Sequence, residues 1–159
     1  MGVFPYDFEI TSPVSPVRLF NALVVEADKV FPKAAPQAIK SVEIQGDGGP
    51  GTIIKINFAE GLPYQYVKHQ VDAVDKASFS YNYSVIEGGP LGVKLEKISY
   101  ENKFVAAGDG GTVCKSSMKF YTIGDCVFTE EDIKAFIQST EVLYKGVEAY
   151  LLANPDVCN

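Results

Sequence analysis

The sequence predicts an α+β domain in which a curved antiparallel sheet closes over one long C-terminal helix. Apolar residues recur at helical spacing between Thr129 and Asn154. Between Pro36 and Tyr121 the pattern changes to a period of two, interrupted by short turn signals, which is typical of antiparallel strands. A helix of about 25 residues is roughly 37 Å long, and no second helix of that length is predicted. The sheet is therefore expected to cover its apolar face.

The first third of the chain predicts one strand and then one or two short helices. Apolar and polar residues alternate over residues 4–10, which indicates a half-buried strand. Ser15-Pro16 then supplies a cap and a proline in the first helical turn. Helical spacing continues to Pro32, which is expected to end it. The β-branched pair Val24-Val25 is a candidate break, so the choice between one helix and two stays open.

Six further strands and the long helix complete the prediction, as a single domain over residues 1–159. The strands are expected at 41–44, 53–58, 64–74, 78–86, 95–105 and 112–120, separated by turns rich in glycine or by Asp75-Lys76. Thr129 and Asp132 have the spacing of a capping box at the start of the helix. Asn154-Pro155 is expected to end it.

Composition and charge exclude several classes of function. With 159 residues, 47% of them apolar, the chain can build a sizeable core. A net charge of −6 argues against nucleic acid as a partner. Three cysteines without metal spacing and a single histidine predict no disulfide, no metal site and no cofactor. No signal peptide or membrane-spanning run is recognised, so we expect a cytoplasmic monomer without membrane insertion.

Strand parity places an unusual set of polar tips on the face that meets the helix. The turn at Asp75-Lys76 predicts three cross-strand pairs: Val71 with Tyr81, His69 with Tyr83, and Val67 with Val85. The neighbouring strands add Ile98, Tyr100, Asn102, Phe104, Cys114, Ser116, Met118 and Phe120 to the same face. A dry core seldom keeps so many phenols and amides without partners. An internal cavity with polar anchors explains this composition.

Five segments carry a resemblance that runs nearly from end to end: residues 1–4, 32–38, 46–52, 81–90 and 147–153. They are similar to the plant family of the major birch-pollen allergen, the class-ten pathogenesis-related proteins. The resemblance implies a helix-grip (START-like) fold, with seven strands, two short helices near residues 15–24 and 26–31, and a large internal cavity. It also implies an intracellular defence-related protein that binds amphiphiles such as flavonoids, cytokinins, other hormones, steroids or fatty acids, and that antibodies recognise if it is an allergen.

The predicted ligand contacts combine the inner strand positions with residues from the helices and one loop. They are Leu23, Asp28, Phe31, Ile56, Phe58, Val67, His69, Val71, Tyr81, Tyr83, Val85, Leu91, Ile98, Tyr100, Asn102, Cys114, Ser116, Met118, Phe136, Ile137, Thr140 and Leu143. The family usually carries a stretch rich in lysine and glycine where Phe136, Ile137 and Gln138 stand here. Bulkier groups at this place are expected to shrink or reshape the cavity.

Other functions remain as alternatives. A cavity enzyme of secondary metabolism could use His69 beside Tyr83 as a proton shuttle, although Lys55, Lys97, Lys103, Lys115 and Lys119 all have outward parity. The ribonuclease site proposed for the family would fall on Lys55, Glu96, Glu148 and Tyr150, and parity gives no reason for these to converge. A phosphatase-regulating hormone receptor would use the loop 87–91 as a gate. The loop 46–51 is interpreted as a rigid turn, since a phosphate loop opens a helix and this one opens a strand.

Overall fold

A seven-stranded antiparallel sheet and a long helix packed against its inner face form the body of the protein. The computed structural model describes residues 2–159, so Met1 at the start of the first similar segment lies outside the described residues. The elements are β1 Val3–Ser12, α1 Pro16–Phe20, a π-helical turn Asn21–Val25, α2 Ala27–Ala34, β2 Ile39–Gln45, β3 Ile53–Phe58, β4 Tyr66–Asp75, β5 Ser80–Gly88, β6 Leu95–Ala106, β7 Thr112–Thr122 and α3 Glu130–Ala153.

The sheet is a meander whose last strand pairs with the first. The strand order is β1-β7-β6-β5-β4-β3-β2, and every neighbouring pair is antiparallel. Register shifts interrupt the β2–β3, β4–β5 and β6–β7 ladders. Such bulges bend a strand and increase its twist, which helps the sheet to curve around α3.

The hairpin of β4 and β5 corrects the predicted register. Val71 pairs with Tyr83, His69 with Val85 and Val67 with Gly88, so two of the predicted pairs are wrong by two residues and the third by three. The turn is longer than Asp75-Lys76, because Asp75 pairs with Ser80 and the Asp75 carboxylate accepts hydrogen bonds from the turn N–H groups of Ala77 and Ser78. A shift of two residues preserves the faces, since side chains alternate with a period of two.

Helix α3 begins and ends as its sequence predicts. The Asp132 N–H donates to Thr129 Oγ1 at 3.1 Å and the Thr129 N–H donates to Asp132 Oδ2 at 3.0 Å, which completes the capping box. The helix ends at Ala153, with Asn154 as its C-cap. Its buried positions Ile133, Ile137, Val147 and Leu151 keep the three-and-four spacing of an amphipathic helix.

The N-terminal helices differ from prediction at one point. Helix α1 begins at Pro16, and the π-helical turn separates it from α2, so there are two helices. The expected stop at Pro32 is wrong, because α2 continues to Ala34 with Pro32 inside it. Proline removes only its own N–H, and the Ala35 N–H still donates to the Phe31 carbonyl at 2.9 Å. One missing bond near the end of a short helix is tolerated.

Arg18 fastens the C-terminal segment to these helices. Its guanidinium donates to the carbonyls of Leu151 at 3.0 Å, Asn154 at 2.9 Å and Val157 at 3.0 Å. The last carbonyls of a helix have no partner within the helix, so one cation satisfies several acceptors and also complements the helix dipole. This contact fixes the C-terminal end of α3.

The outer face of the sheet carries the lysines, as parity predicts. The Lys55 ammonium lies 4.9 Å from the centre of the Tyr66 ring, and Lys97 lies 5.5 Å from that of Tyr121. Lys103 and Lys115 are exposed cross-strand partners. Within residues 2–159, the helices are all too short or too polar to cross a membrane.

Candidate functional site

Four aromatic rings from three adjacent strands form a stack on the inner face. Tyr83 on β5 is the centre of it, with ring centroids 4.4 Å from Tyr100 on β6, 4.7 Å from His69 on β4 and 5.1 Å from Tyr81. The planes of Tyr83 and Tyr100 differ by 13°. Antiparallel pairing of β4, β5 and β6 brings these rings together, because the alternate residues of each strand share this face. The stack forms an aromatic wall with polar edges, in which His69 and Tyr100 cover the two faces of Tyr83.

The phenols of this wall are strongly desolvated. Burial raises the pKa of Tyr83 well above its ordinary value, and the nearby Tyr100 and Tyr144 phenols add to the shift. Burial also raises the pKa of Tyr100, against a smaller lowering by hydrogen bonding with the hydroxyls of Tyr83 and Thr140. Thr140 lies on α3, so the tips of the wall meet the helix. At neutral pH all of these groups are uncharged hydrogen-bonding groups.

His69 is also neutral and faces the interior. Burial lowers its pKa to about 4, because a charged imidazolium loses its hydration there. The ring nevertheless keeps accessible surface and forms no side-chain hydrogen bond within residues 2–159. In that same part of the chain, every fully buried side-chain nitrogen or oxygen has a hydrogen-bond partner. The His69 nitrogens and the Tyr83 hydroxyl therefore each keep some accessible surface on this face.

A second group of polar residues on the inner face is already paired. The Ser116 hydroxyl donates to Asn102 Oδ1 at 2.6 Å, and Asn102 Nδ2 donates to the Tyr81 carbonyl at 3.1 Å. Both side chains are buried. Asn102 and Ser116 were predicted as ligand contacts, and the structure gives them a role in fixing the β5–β7 wall. Polar groups that already form hydrogen bonds with each other are less available to a ligand.

Helix α3 supplies the opposite wall. Phe136, Thr140, Leu143 and Tyr144 are half-buried on its inner side, and Ile137 is buried. Tyr144 was missing from the predicted contacts, although its spacing of four from Thr140 places it on the same helix face. Its hydroxyl lies 3.7 Å from Cys114 Sγ, and burial raises its pKa well above the ordinary value. Tyr144 therefore belongs to the candidate site.

The remaining predicted residues surround these walls. Ile56, Val67, Val71, Val85, Ile98, Met118 and Phe31 are buried in the core, and Phe58, Leu23 and Leu91 are packed against it. Asp28 is half-buried on α2. A small, partly open pocket of about 10 Å³ adjoins Tyr144 and Cys114, which is room for about one water molecule. The large cavity implied by the resemblance stays a prediction.

The residues of the other candidate sites do not come together in the structure. Lys55 lies over Tyr66 on the outer face, whereas Glu148 accepts a hydrogen bond from Ser12 and pairs with Lys145 at 3.2 Å. In the loop before β3, the N–H groups of Gly48 and Gly49 donate to the side chains of Thr52 and Asp47, so these two donors are occupied within the turn. Among residues 2–159 no group of three histidine, cysteine or carboxylate side chains could hold a metal ion.

Comparison with known proteins points to one family. The family model described as "Pathogenesis-related protein Bet v 1 family" matches residues 1–154. Major allergen Pru av 1 of Prunus avium is 52% identical over 160 residues, with 100% of both chains covered.

Solved structures give the same fold. The crystal structure of Ara h 8.0201 superposes with a TM-score of 0.85 at 42% identity, covering 96% of this chain and 100% of that one. Norcoclaurine synthase from Thalictrum flavum, solved with dopamine and hydroxybenzaldehyde, superposes with a TM-score of 0.72 at 21% identity, covering 96% of this chain and 88% of that one. The second likeness concerns the fold alone.

Proposed function

The chain belongs to the pathogenesis-related Bet v 1 family, and from this premise we propose that it binds small amphiphilic ligands between its sheet and α3, without transforming them. The observation that carries the proposal is the inner aromatic wall. Its hydroxyls and the His69 nitrogens are neutral, deeply placed and in contact with accessible space. Apolar walls with a few converging polar groups are typical of sites for small molecules.

The chemistry of the wall fits a largely apolar molecule that carries hydroxyl or carbonyl groups. His69 and Tyr100 stack on the two faces of Tyr83, so the wall offers a ligand chiefly ring edges, whose polar atoms accept or donate hydrogen bonds. No charged side chain belongs to this wall, so an anion or cation would lose its hydration without a compensating partner. Flavonoids, cytokinins and other hormones, steroids and fatty acids are the classes we propose as candidates. The neutral wall favours uncharged molecules with rings and polar edges over fatty acids, whose carboxylate finds no charged partner there.

The contact set is proposed as predicted, with Tyr144 added. His69, Tyr83, Tyr100, Thr140 and Tyr144 supply the polar groups, and the buried apolar side chains around them shape the space. Asn102 and Ser116 hold the wall through their mutual hydrogen bond, so we assign them to positioning.

Removing a single hydroxyl from each face tests this assignment. Tyr83→Phe keeps the ring and deletes one inner hydrogen-bonding group, which is worth about 0.5–1.5 kcal/mol, or up to roughly tenfold in affinity. The matched control is Tyr66→Phe, because Tyr66 lies on the outer face and donates to Glu87. Affinity for an uncharged flavonoid is measured by isothermal titration calorimetry. Equal weakening by both variants, or no flavonoid binding by the parent, refutes the inner site.

A second candidate, a cavity enzyme, is favoured by one observation. A neutral histidine with a pKa of about 4 stacked on a tyrosine could pass a proton to or from a bound molecule. Against it stands the outward position of the strand lysines, which leaves no amine at the wall for iminium chemistry. Incubation of candidate ligands with the protein, followed by mass spectrometry, separates the two functions. A carrier returns the ligand unchanged, whereas turnover that is lost in His69→Ala indicates an enzyme.

Location and recognition are part of the same proposal. We propose a cytoplasmic monomer that takes part in plant defence or development. The relative Pru av 1 is named a major allergen, so recognition of this chain by antibodies raised against such relatives is a further proposal. Serum binding to the folded protein tests it.

A further inference from the structure

Residues 155–159, the strap, follow α3 and lie against α1 and the π-helical turn. The Arg18 guanidinium donates to the Val157 carbonyl through Nε at 3.1 Å and through Nη2 at 3.0 Å. Asn21 Nδ2 donates to the Cys158 carbonyl at 3.1 Å. Val157 packs against the core and Cys158 is buried. The strap is therefore attached to α1 through Arg18 and to the π-helical turn through Asn21.

The backbone of the strap is strained at Cys158. Its φ of 62° lies in the left-handed region, which residues with a Cβ atom rarely adopt. Such a conformation persists where the surrounding contacts determine it. Here those contacts are the hydrogen bond from Asn21 and the burial of the Cys158 side chain beside Glu26. Loss of the Asn21 bond is therefore expected to release the strap rather than to leave it in place.

Asn21 joins the strap to the junction between the two N-terminal helices. Its side chain holds Cys158, and its own carbonyl accepts the Glu26 N–H at 2.7 Å, which is the five-residue bond of the π-helical turn. Such turns are rare and are frequent at functional sites. This one separates α1 from α2. One residue thus couples the strap to the point about which α1 would move.

Helix α1 closes one end of the interior between the sheet and α3. The Phe20 ring lies 5.5 Å from that of Phe79 and 5.7 Å from that of Phe104 on β6. Leu19 lines the pocket of about 10 Å³ beside Tyr144. Phe20 and Leu19 are both buried. Since that pocket has room for about one water molecule, a larger molecule can reach Tyr144 from this side only when α1 or a neighbouring segment moves.

We propose that the strap controls entry to the interior. While it is bound to Arg18 and Asn21, α1 stays closed over the inner face, and its release lets α1 move outward about the π-helical turn and admits a ligand. The inference rests on the proposed function and adds a control of entry to the same site. Arg18 also donates to the carbonyls of Leu151 and Asn154. Helix α1 therefore keeps an attachment to α3 when the strap is released, and the motion is a local opening rather than unfolding.

The reactivity of two cysteines measures release of the strap. Cys158 is buried, whereas Cys126 is exposed and serves as a reference within the same molecule. Asn21→Ala removes one neutral hydrogen bond to the strap, so iodoacetamide is expected to alkylate Cys158 about two- to tenfold faster relative to Cys126. The matched control is Asn57→Ala, which deletes an amide bonded on the outer face of the sheet and is expected to leave this ratio unchanged. Mass spectrometry of the peptides gives the ratio.

Two further measurements on the same variants test the coupling to α1 and to entry. Backbone amides of residues 19–26 are expected to exchange hydrogen faster by about the same factor, and those of β6 and β7 to keep the parent rates. The association rate of the uncharged dye Nile red, followed by stopped-flow fluorescence, is expected to rise similarly. Its Kd is expected to change by less than about threefold, because opening speeds entry and exit alike. Asn21→Asp, which places a carboxylate against the Cys158 carbonyl, is expected to exceed Asn21→Ala in alkylation, exchange and association.

The outcomes separate the strap from the function beneath it. Unchanged alkylation of Cys158, or faster alkylation without faster exchange at residues 19–26, overturns the coupling of strap and α1. Faster exchange with an unchanged association rate overturns the control of entry and leaves ligand binding in place. Faster association in Ser12→Ala alone, which removes the hydrogen bond from β1 to Glu148 on α3, places the entrance between β1 and α3 and overturns it as well. Parent protein that binds neither Nile red nor the flavonoid overturns the proposed function together with this entry route.

Discussion

The two faces of the sheet place the same residue type in opposite situations. Tyr66 on the outer face donates its hydroxyl to Glu87 at 2.6 Å, and this carboxylate also meets Lys68 at 3.3 Å. The pKa of Tyr66 is raised chiefly by that hydrogen bond. Tyr83 on the inner face has its pKa raised far more, and the main cause is burial. The Tyr66 phenol belongs to a solvent-exposed hydrogen-bond network with charged partners. The Tyr83 phenol lies in an interior with few charges.

The difference teaches which phenols are available to a ligand. The Tyr66 hydroxyl already has a charged acceptor, so another molecule has to compete with Glu87 and with water for it. The Tyr83 hydroxyl lies in a desolvated environment, where a hydrogen bond is electrostatically stronger because the surrounding dielectric is low. Environment, rather than residue type, therefore decides where the binding chemistry lies.

The largest expected effect concerns the packing that separates the two faces. Phe120 is completely buried between Phe128 and Phe136, so Phe120→Ala is expected to lower the free energy of unfolding by about 3–5 kcal/mol. Its neighbour Lys119 points outward and is exposed, and Lys119→Ala is expected to stay within about 0.5 kcal/mol. Urea unfolding monitored by circular dichroism gives both values. Comparable losses in the two variants contradict the assignment of faces.

Acidification is expected to lower the free energy of unfolding through His69, by less than the loss expected for Phe120→Ala. The pKa of His69 is about 4 in the folded protein and about 6.5 in the unfolded chain. Between pH 7 and pH 4.5 the unfolded chain takes up a proton at this site while the folded protein largely does not. Stability is therefore present above pH 6.5 and is lost as the pH falls, by about 2 kcal/mol at pH 4.5.

The matched variant for this titration is His69→Gln, which cannot be protonated. Its free energy of unfolding is expected to fall less than that of the parent over the same pH range, by the difference of about 2 kcal/mol. Urea titrations at pH 7 and pH 4.5 measure it, and the carboxylates contribute equally to both proteins. Parallel losses in parent and variant mean that His69 is solvated.

The smallest effect is expected on the outer face. Hydrogen bonding from Tyr66 is the main cause that lowers the pKa of Glu87, followed by that from Lys68. Tyr66→Phe is therefore expected to raise the pKa of Glu87 toward its ordinary value, with no resolvable change in ligand affinity. Nuclear magnetic resonance titration of the Glu87 carboxyl carbon measures the shift, with Tyr64→Phe as control. A Glu87 pKa that does not move assigns the effect to Lys68 alone.

The sequence predicts the features that depend on local periodicity. The capping box of Thr129 and Asp132, the start of α1 at Pro16 and the sidedness of the strands are all confirmed. The predicted strand faces remain correct despite the register error, because a two-residue shift returns each side chain to its own face. The inner set of His69, Tyr83 and Tyr100 could therefore be named before any pairing was known.

What could not be predicted depends on contacts between distant segments. The β4–β5 ladder has one bulge in each strand, and bulges leave no signature in a single sequence, so the predicted register was wrong. The continuation of α2 through Pro32 depends on a local bond from Ala35 to Phe31. Tyr144 and the ring cluster at Phe120 join the site through the way α3 lies on β7, and helical spacing alone does not give that angle.

The pairing of β1 with β7 has a consequence for the order in which the chain can fold during synthesis. The Gly2 N–H donates to Thr122 Oγ1 across 120 residues, and Arg18 reaches Val157 across 139. Strand β1 is synthesised before β7 and cannot pair with it until β7 has been made. During that interval β1 has an apolar face and an unpaired edge, and both favour aggregation. Pro5 cannot donate a backbone hydrogen bond, and Asp7 and Glu9 place charge on the other side of the same strand. We expect these three residues to disfavour pairing of β1 with other chains before β7 is synthesised.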